Sequence, residues 1–174
     1  MRRGLISWSE EEVPRSVLDA RVARCQEAMA ANNMDVLLVY SNFPRPAAVS
    51  YLANFVPYWS QLVLVVLPEG IPTMFVSFSK RVADWIENTA HVADTVCTPN
   101  IGGEVAKLLM NVGGIKTAGV VELDRMPSMI INNFRKENDA IEFVDATEMF
   151  AGIRILADPT EIALVRRATE IAHT

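Results

Sequence analysis

Cysteine and histidine are nearly missing from this chain, which carries two of each in 174 residues. Cys25 and Cys97 stand 72 positions apart, a separation with no metal-ligand spacing, so buried free thiols in a reducing compartment are expected. No His-Glu-x-x-His, His-x-His or Cys-x-x-Cys occurs, which excludes a zinc site of ordinary construction. No Gly-x-Ser-x-Gly elbow surrounds any serine. Long hydrophobic runs are also lacking. The most apolar one, LVLVVL at 62–67, is far shorter than the ~20 residues a membrane helix needs. The opening MRRGLISWSEEEVPR has no apolar signal core before its acidic triplet, so the chain is expected to be cytoplasmic and not membrane-bound. Excess positive charge is missing too. A formal net charge of −5 argues against nucleic-acid binding, which needs clustered Lys and Arg.

What remains is ordinary globular composition, 51% apolar and 21% charged, enough for a self-sufficient core. Leu18, Val22, Cys25 and Met29 recur at i, i+4, i+7 and i+11, which predicts a helix from Pro14 to Asn32. NMDVLLVY at 33–40 reads as a buried strand. Pro44 and Pro46 interrupt the backbone, and 47–55 has room for one or two helical turns. QLVLVVLPEGIPTMFVSF at 61–78 predicts two strands joined at Pro-Glu-Gly. Ser79 is placed as the cap of a helix carrying Val82, Trp85, Ile86 and Thr89. A short strand is expected at Thr95 to Thr98, then a helix opened by Asn100 and ended by Gly113-Gly114.

Strands at 117–123 and 140–146 alternate with helices over Pro127 to Lys136 and Thr147 to Ile153. This pattern predicts an α/β fold whose sheet is mixed, because the hairpin runs against the parallel units, and whose faces are covered by helices. At the end of the sequence, Asp158, Pro159 and Glu161 have the order of an N-cap, N1 and N3, a capping box opening a last helix. Ile162, Val165, Thr169 and Ala172 form its stripe, widened by Leu164, Ala168 and Ile171. So broad an apolar face calls for more than one neighbour.

Few segments suggest chemistry. Gly102-Gly103 at a helix entrance is placed as packing, since Glu104 occupies the position a phosphate would take. Glu10, Glu11 and Glu12 read as a solvated segment. NFVPYWSQ at 54–61 sets Phe55, Tyr58 and Trp59 in a loop. Three rings within five positions either plug one end of the core or form a binding surface.

The order of MDVLLVYSN, YLANF and LVLVVLPEGIP resembles the N-terminal domain of the creatinase, prolidase and aminopeptidase P family, with Asn54 where a glycine is usual. The tail is similar to the segment that joins the two domains in that family. Arg154, Pro159, Glu161 and Ile162 fit it, and Ala157 replaces the usual lysine. The resemblance implies a ribonuclease-H-like layer over 14–153, after an extension at 1–13. It makes 154–174 a linker and the first helix of a C-terminal catalytic domain that this chain lacks. That domain would bind a pair of divalent metals (Mn, Co or Zn) through two Asp, one His and two Glu. No such set can be assembled here, so no cofactor and no hydrolase activity are expected of this chain alone. The resemblance further implies a homodimer in which this domain walls off an active site. Phe55, Tyr58 and Trp59 are then the candidates for approaching substrate. A stand-alone interaction module, as in the large subunit of the FACT histone chaperone, or a small-molecule-binding module is the alternative.

Overall fold

A computed structural model of the chain describes residues 8–58 and 60–173. The expected stripe closes into α1 (Arg15–Ala31), with Leu18, Val22, Cys25 and Met29 all buried. β1 (Val36–Asn42) comes after it, then α2 (Ala47–Ala53). The hairpin is β2 (Gln61–Val66) and β3 (Thr73–Val76). α3 (Ala83–Glu87), β4 (Asp94–Cys97), α4 (Ile101–Val112) and β5 (Thr117–Val121) come next. The chain continues through α5 (Ser128–Glu137), β6 (Glu142–Asp145), α6 (Thr147–Arg154) and α7 (Pro159–Ala172). No helix among the described residues is long and apolar enough to cross a membrane.

One expected element is shorter than its spacing suggests. Ser79 does accept from the Arg81 amide, but the chain then makes a 3-10 turn at Lys80–Val82 before the five residues of α3. Thr89 lies beyond the helix, its hydroxyl donating to the Trp85 carbonyl at 2.7 Å. A β-branched hydroxyl that bonds back to the preceding turn competes with helix continuation.

The six strands form one mixed sheet in the order β4-β3-β2-β1-β5-β6. β1 pairs antiparallel with β2 and parallel with β5, so β2 alone runs against the rest. Period-two alternation then divides the core. Leu37 and Val39 of β1 join Leu62, Leu64 and Val66 of β2 under α1, α2, α3 and α6. Val36, Leu38 and Tyr40 face the other way, under α4 and α5. The central strand is therefore apolar on both faces, as its continuous run requires.

Asp35 fixes the register at the start of this sheet. Its Oδ2 accepts from the Lys116 and Thr117 amides at 2.8 and 2.9 Å, clamping the start of β5 to that of β1. The Thr117 bond first, and the Lys116 bond second, hold the carboxyl below its usual pKa. A depressed folded pKa contributes stability above the unfolded value and loses it as pH falls through the folded one. Asp35→Ala is expected to cost about 2 kcal/mol at pH 7, since two amides lose a charged acceptor. In thermal melts the gap between variant and wild type should close as pH falls below about 4. A gap that stays constant to pH 2.5 would assign the loss to packing.

Both thiols are free. Cys25 is buried, and burial pushes it up to about 12 despite the nearby Arg24 charge. Cys97, expected to be buried, is only half-buried, lying on the edge strand β4.

Candidate functional site

The aromatic loop divides between core and surface. Phe55 is 1% exposed and its ring lies 5.3 Å from that of Trp85, inside the cluster beneath the sheet. Its neighbour Asn54 explains the departure from the usual glycine. This residue caps the carboxyl end of α2 with φ +54°, a left-handed conformation that asparagine adopts more readily than most residues. Tyr58 is half-buried, with its ring 6.0 Å from the ring of Phe43. Trp59 lies outside the described residues.

Phe43 is a ring that periodicity and motif give no reason to single out. It is 56% exposed, in the turn after β1. The pairing of Asn42 with Gln61 brings the end of β1 beside the start of β2, and so Phe43 beside Tyr58. A large apolar residue between Asn42 and Pro44, outside any apolar periodicity, was the available signal.

A second polar site lies where α7 meets the domain. The capping box forms as expected. The Glu161 amide donates to Asp158 Oδ1 at 2.9 Å, and the Asp158 amide donates to Glu161 Oε2 at 3.1 Å. Onto this box reaches Arg21, only 4% exposed. Its Nε donates to Asp158 Oδ2 at 2.8 Å, and its terminal nitrogen donates to the Tyr51 carbonyl at 3.0 Å. Burial raises the Asp158 pKa. Hydrogen bonds from Arg21 and the Glu161 amide, with the charges of Arg21 and Arg24, outweigh burial and leave the carboxyl below its usual range. The Arg21 guanidinium also lies 4.5 Å above the Tyr51 ring. Sequence carried a trace of this, since Arg21 sits three residues after Leu18 and four before Cys25, a charge inside a buried stripe.

Beyond the joint, no residue of α7 is buried. Val165 and Ile171 are 65% and 68% exposed. Arg167 makes an ion pair with Glu12 and Arg15 makes one with Glu10, so two members of the acidic triplet have partners.

Two further features of the sequence pack within the fold. His91 is buried with Nε2 2.6 Å from Asp19 Oδ1, and Arg15 approaches its other ring nitrogen at 3.4 Å. The two helix-entry glycines serve packing, as expected. Gly102 lies against the α5 backbone and Gly103 beneath the Asn100 cap. No group of three or more His, Cys, Asp or Glu among the described residues could hold a metal ion.

Comparison with known proteins places this arrangement. No significant match exists among curated proteins. The prolidase from Pyrococcus horikoshii OT3 is similar in structure, at TM-score 0.67 and 21% identity, over 88% of this chain and 40% of that one. The Xaa-Pro dipeptidase from Bacillus anthracis is similar at TM-score 0.70 and 20% identity, over 89% and 41%. This chain thus spans about two fifths of the length of either protein. The N-terminal domain of Xaa-Pro dipeptidase from Lactobacillus brevis, a structure of that domain by itself, is covered over 98% of its length at TM-score 0.61 and 16% identity. Residues 21–156 match the family model described as the creatinase/prolidase N-terminal domain. With most of its length inside that match, and with the mixed six-stranded sheet that its solved neighbours share, the chain belongs to the creatinase/prolidase N-terminal domain family.

Proposed function

We propose that this chain is the non-catalytic N-terminal domain of a metal-dependent hydrolase acting on Xaa-Pro peptides or on a creatine-like amide. Its role is to help form a homodimer and to enclose an active site carried by a C-terminal domain. The observation that carries the reading is α7, fastened at its first turn by Arg21 while its apolar side chains stand in solvent. A helix of 14 residues is marginal in water unless its apolar face is covered. In this reading the catalytic domain covers it. The divalent metal pair belongs to that domain as well, because the described residues offer no ligand set to hold it.

Within the enclosed site, the surface rings supply a wall that excludes water and selects substrate shape. Tyr58 and Phe43, with ring centroids 6.0 Å apart, are the candidate rings, and Trp59 is next to Tyr58 in sequence. Phe55 supports the loop from inside the core. Activity of the complete protein on proline peptides and on creatine, with added Mn²⁺, Co²⁺ or Zn²⁺, tests the reading. In that protein Tyr58→Ala is expected to raise KM by roughly three- to tenfold, the value of one ring contact, with kcat little changed. Unaltered kinetics for both Tyr58→Ala and Trp59→Ala across the substrate panel would remove the loop from the site.

A further inference from the structure

The chain leaves β1 and β5 toward opposite faces of the sheet. From β1 it passes into α2 on the face covered by α1, and from β5 into α5 on the face covered by α4. Because β1 and β5 are parallel neighbours, a crevice opens at their carboxyl ends. Open α/β sheets hold ligands at such a divergence of crossovers. Here the crevice has a volume of about 300 Å³, and Pro44, Pro46, Val121 and Phe150 give it largely apolar walls.

Two guanidinium groups line it, and only one is neutralised. Arg45 donates to Glu122 Oε2 at 2.8 Å. Arg154 makes no ion pair among the described residues, and its Nε is buried without a hydrogen-bond partner. What holds Arg154 is ring contact, at 5.4 Å from Tyr51 and 5.9 Å from Phe150. Aromatic faces stabilise the cation but accept few of its five donors. At the adjoining joint Asp158 and Glu161 pair with Arg21, and Glu161 shares a neighbouring opening with Arg154 without forming an ion pair to it. A half-buried guanidinium with unused donors at the mouth of an apolar crevice is matched by an oxyanion that brings its own short hydrocarbon body.

The geometry points to a binding site in this crevice for a small aliphatic carboxylate, its oxygens on Arg154 and its body against Pro44, Pro46 and Val121. One uncompensated positive charge suits a monoanion. Inorganic phosphate, largely dianionic at neutral pH and without an apolar part, fits less well. The site is separate from the Phe43–Tyr58 pair, and its failure would leave the proposed function standing.

A related N-terminal domain has been solved by itself, so the ¹⁵N-labelled 174-residue chain is suited to the test. Titration with isobutyrate, inorganic phosphate and sodium chloride at matched ionic strength would follow the Arg154 Nε–H signal and the amides of Glu122 and Ala151. Isobutyrate is expected to give a saturable shift confined to these signals. Phosphate should bind roughly tenfold more weakly, and Arg154→Gln should abolish saturation. If Arg154→Gln disturbs the fold, Ala151→Leu fills the crevice from the exposed side of α6 with Arg154 in place, and it should abolish saturation equally. Equal, non-saturating shifts with all three salts would mean that the crevice holds only water and would overturn the proposal. Tighter binding of phosphate would overturn the assigned ligand class.

Discussion

Replacing Arg21 by methionine is expected to lower stability by about 3–5 kcal/mol, the usual cost of removing one partner from a buried ion pair. The size of the loss comes from what is stranded. Asp158 keeps only 14% of its side-chain surface in water, so without Arg21 its charge is poorly solvated. The Tyr51 carbonyl at the end of α2 loses its donor at the same time. Arg24, 3.9 Å from the same carboxylate, compensates only in part, being 40% exposed and outside hydrogen-bonding distance.

Companion variants separate the ion pair from the cap. Asp158→Asn keeps a good capping side chain and removes the charge, so α7 should still start at Pro159 while the Arg21 bond weakens. Asp158→Ala loses both. The sign of the pH dependence is fixed by the depressed Asp158 pKa. The contribution is complete above the unfolded value near 4 and is lost as pH falls through the folded one. Hydrogen exchange of the first-turn amides of α7, read beside the melting temperature, is the measurement. Wild-type exchange rates in Arg21→Met would show that the joint does not hold the helix.

Gly102→Ala should be nearly as damaging, at about 3 kcal/mol, against a helix-propensity gain of about 1 kcal/mol for the same change. The steric term wins because of what the new methyl would meet. A Cβ at Gly102 would lie 2.0 Å from the Ile130 carbonyl oxygen and 2.9 Å from the Phe134 nitrogen, both backbone atoms of α5. Reaching ordinary carbon–oxygen contact near 3.3 Å means moving α4 and α5 apart by roughly 1 Å. That would open the face built on Val105, Ile130 and Phe134. A fall of about 6–12 °C in melting temperature is expected for a chain of this length. Gly103→Ala is the contrast. The atoms nearest its new methyl would all be in the Asn100 side chain, so about 1 kcal/mol of capping is at stake. Equal losses at the two positions would refute helix–helix contact as the cause.

These two glycines mark where local sequence stops being informative. Gly-Gly after Asn100 is legible as a helix entrance, but nothing local distinguishes the residue that lies on another helix from the one beneath its own cap. Arg21 is a similar case. Its place in a buried stripe is visible in the sequence, while its partner lies 137 positions away. Phe55 and Phe43 obey the same rule. Phe55 follows α2 and Phe43 follows β1, and only tertiary packing puts one inside and the other at the surface.

Spacing along the chain already specifies the periodic elements, the hairpin that makes the sheet mixed, the box opening α7 and the family resemblance. Each depends on side chains within a few positions of one another, where spacing and capping chemistry are written directly into the chain. Which glycine lets two helices touch, which arginine is matched and which is not, and which rings remain at the surface follow from packing alone. Those outcomes depend on neighbours brought together by strand order and helix packing, and that proximity has no local signature.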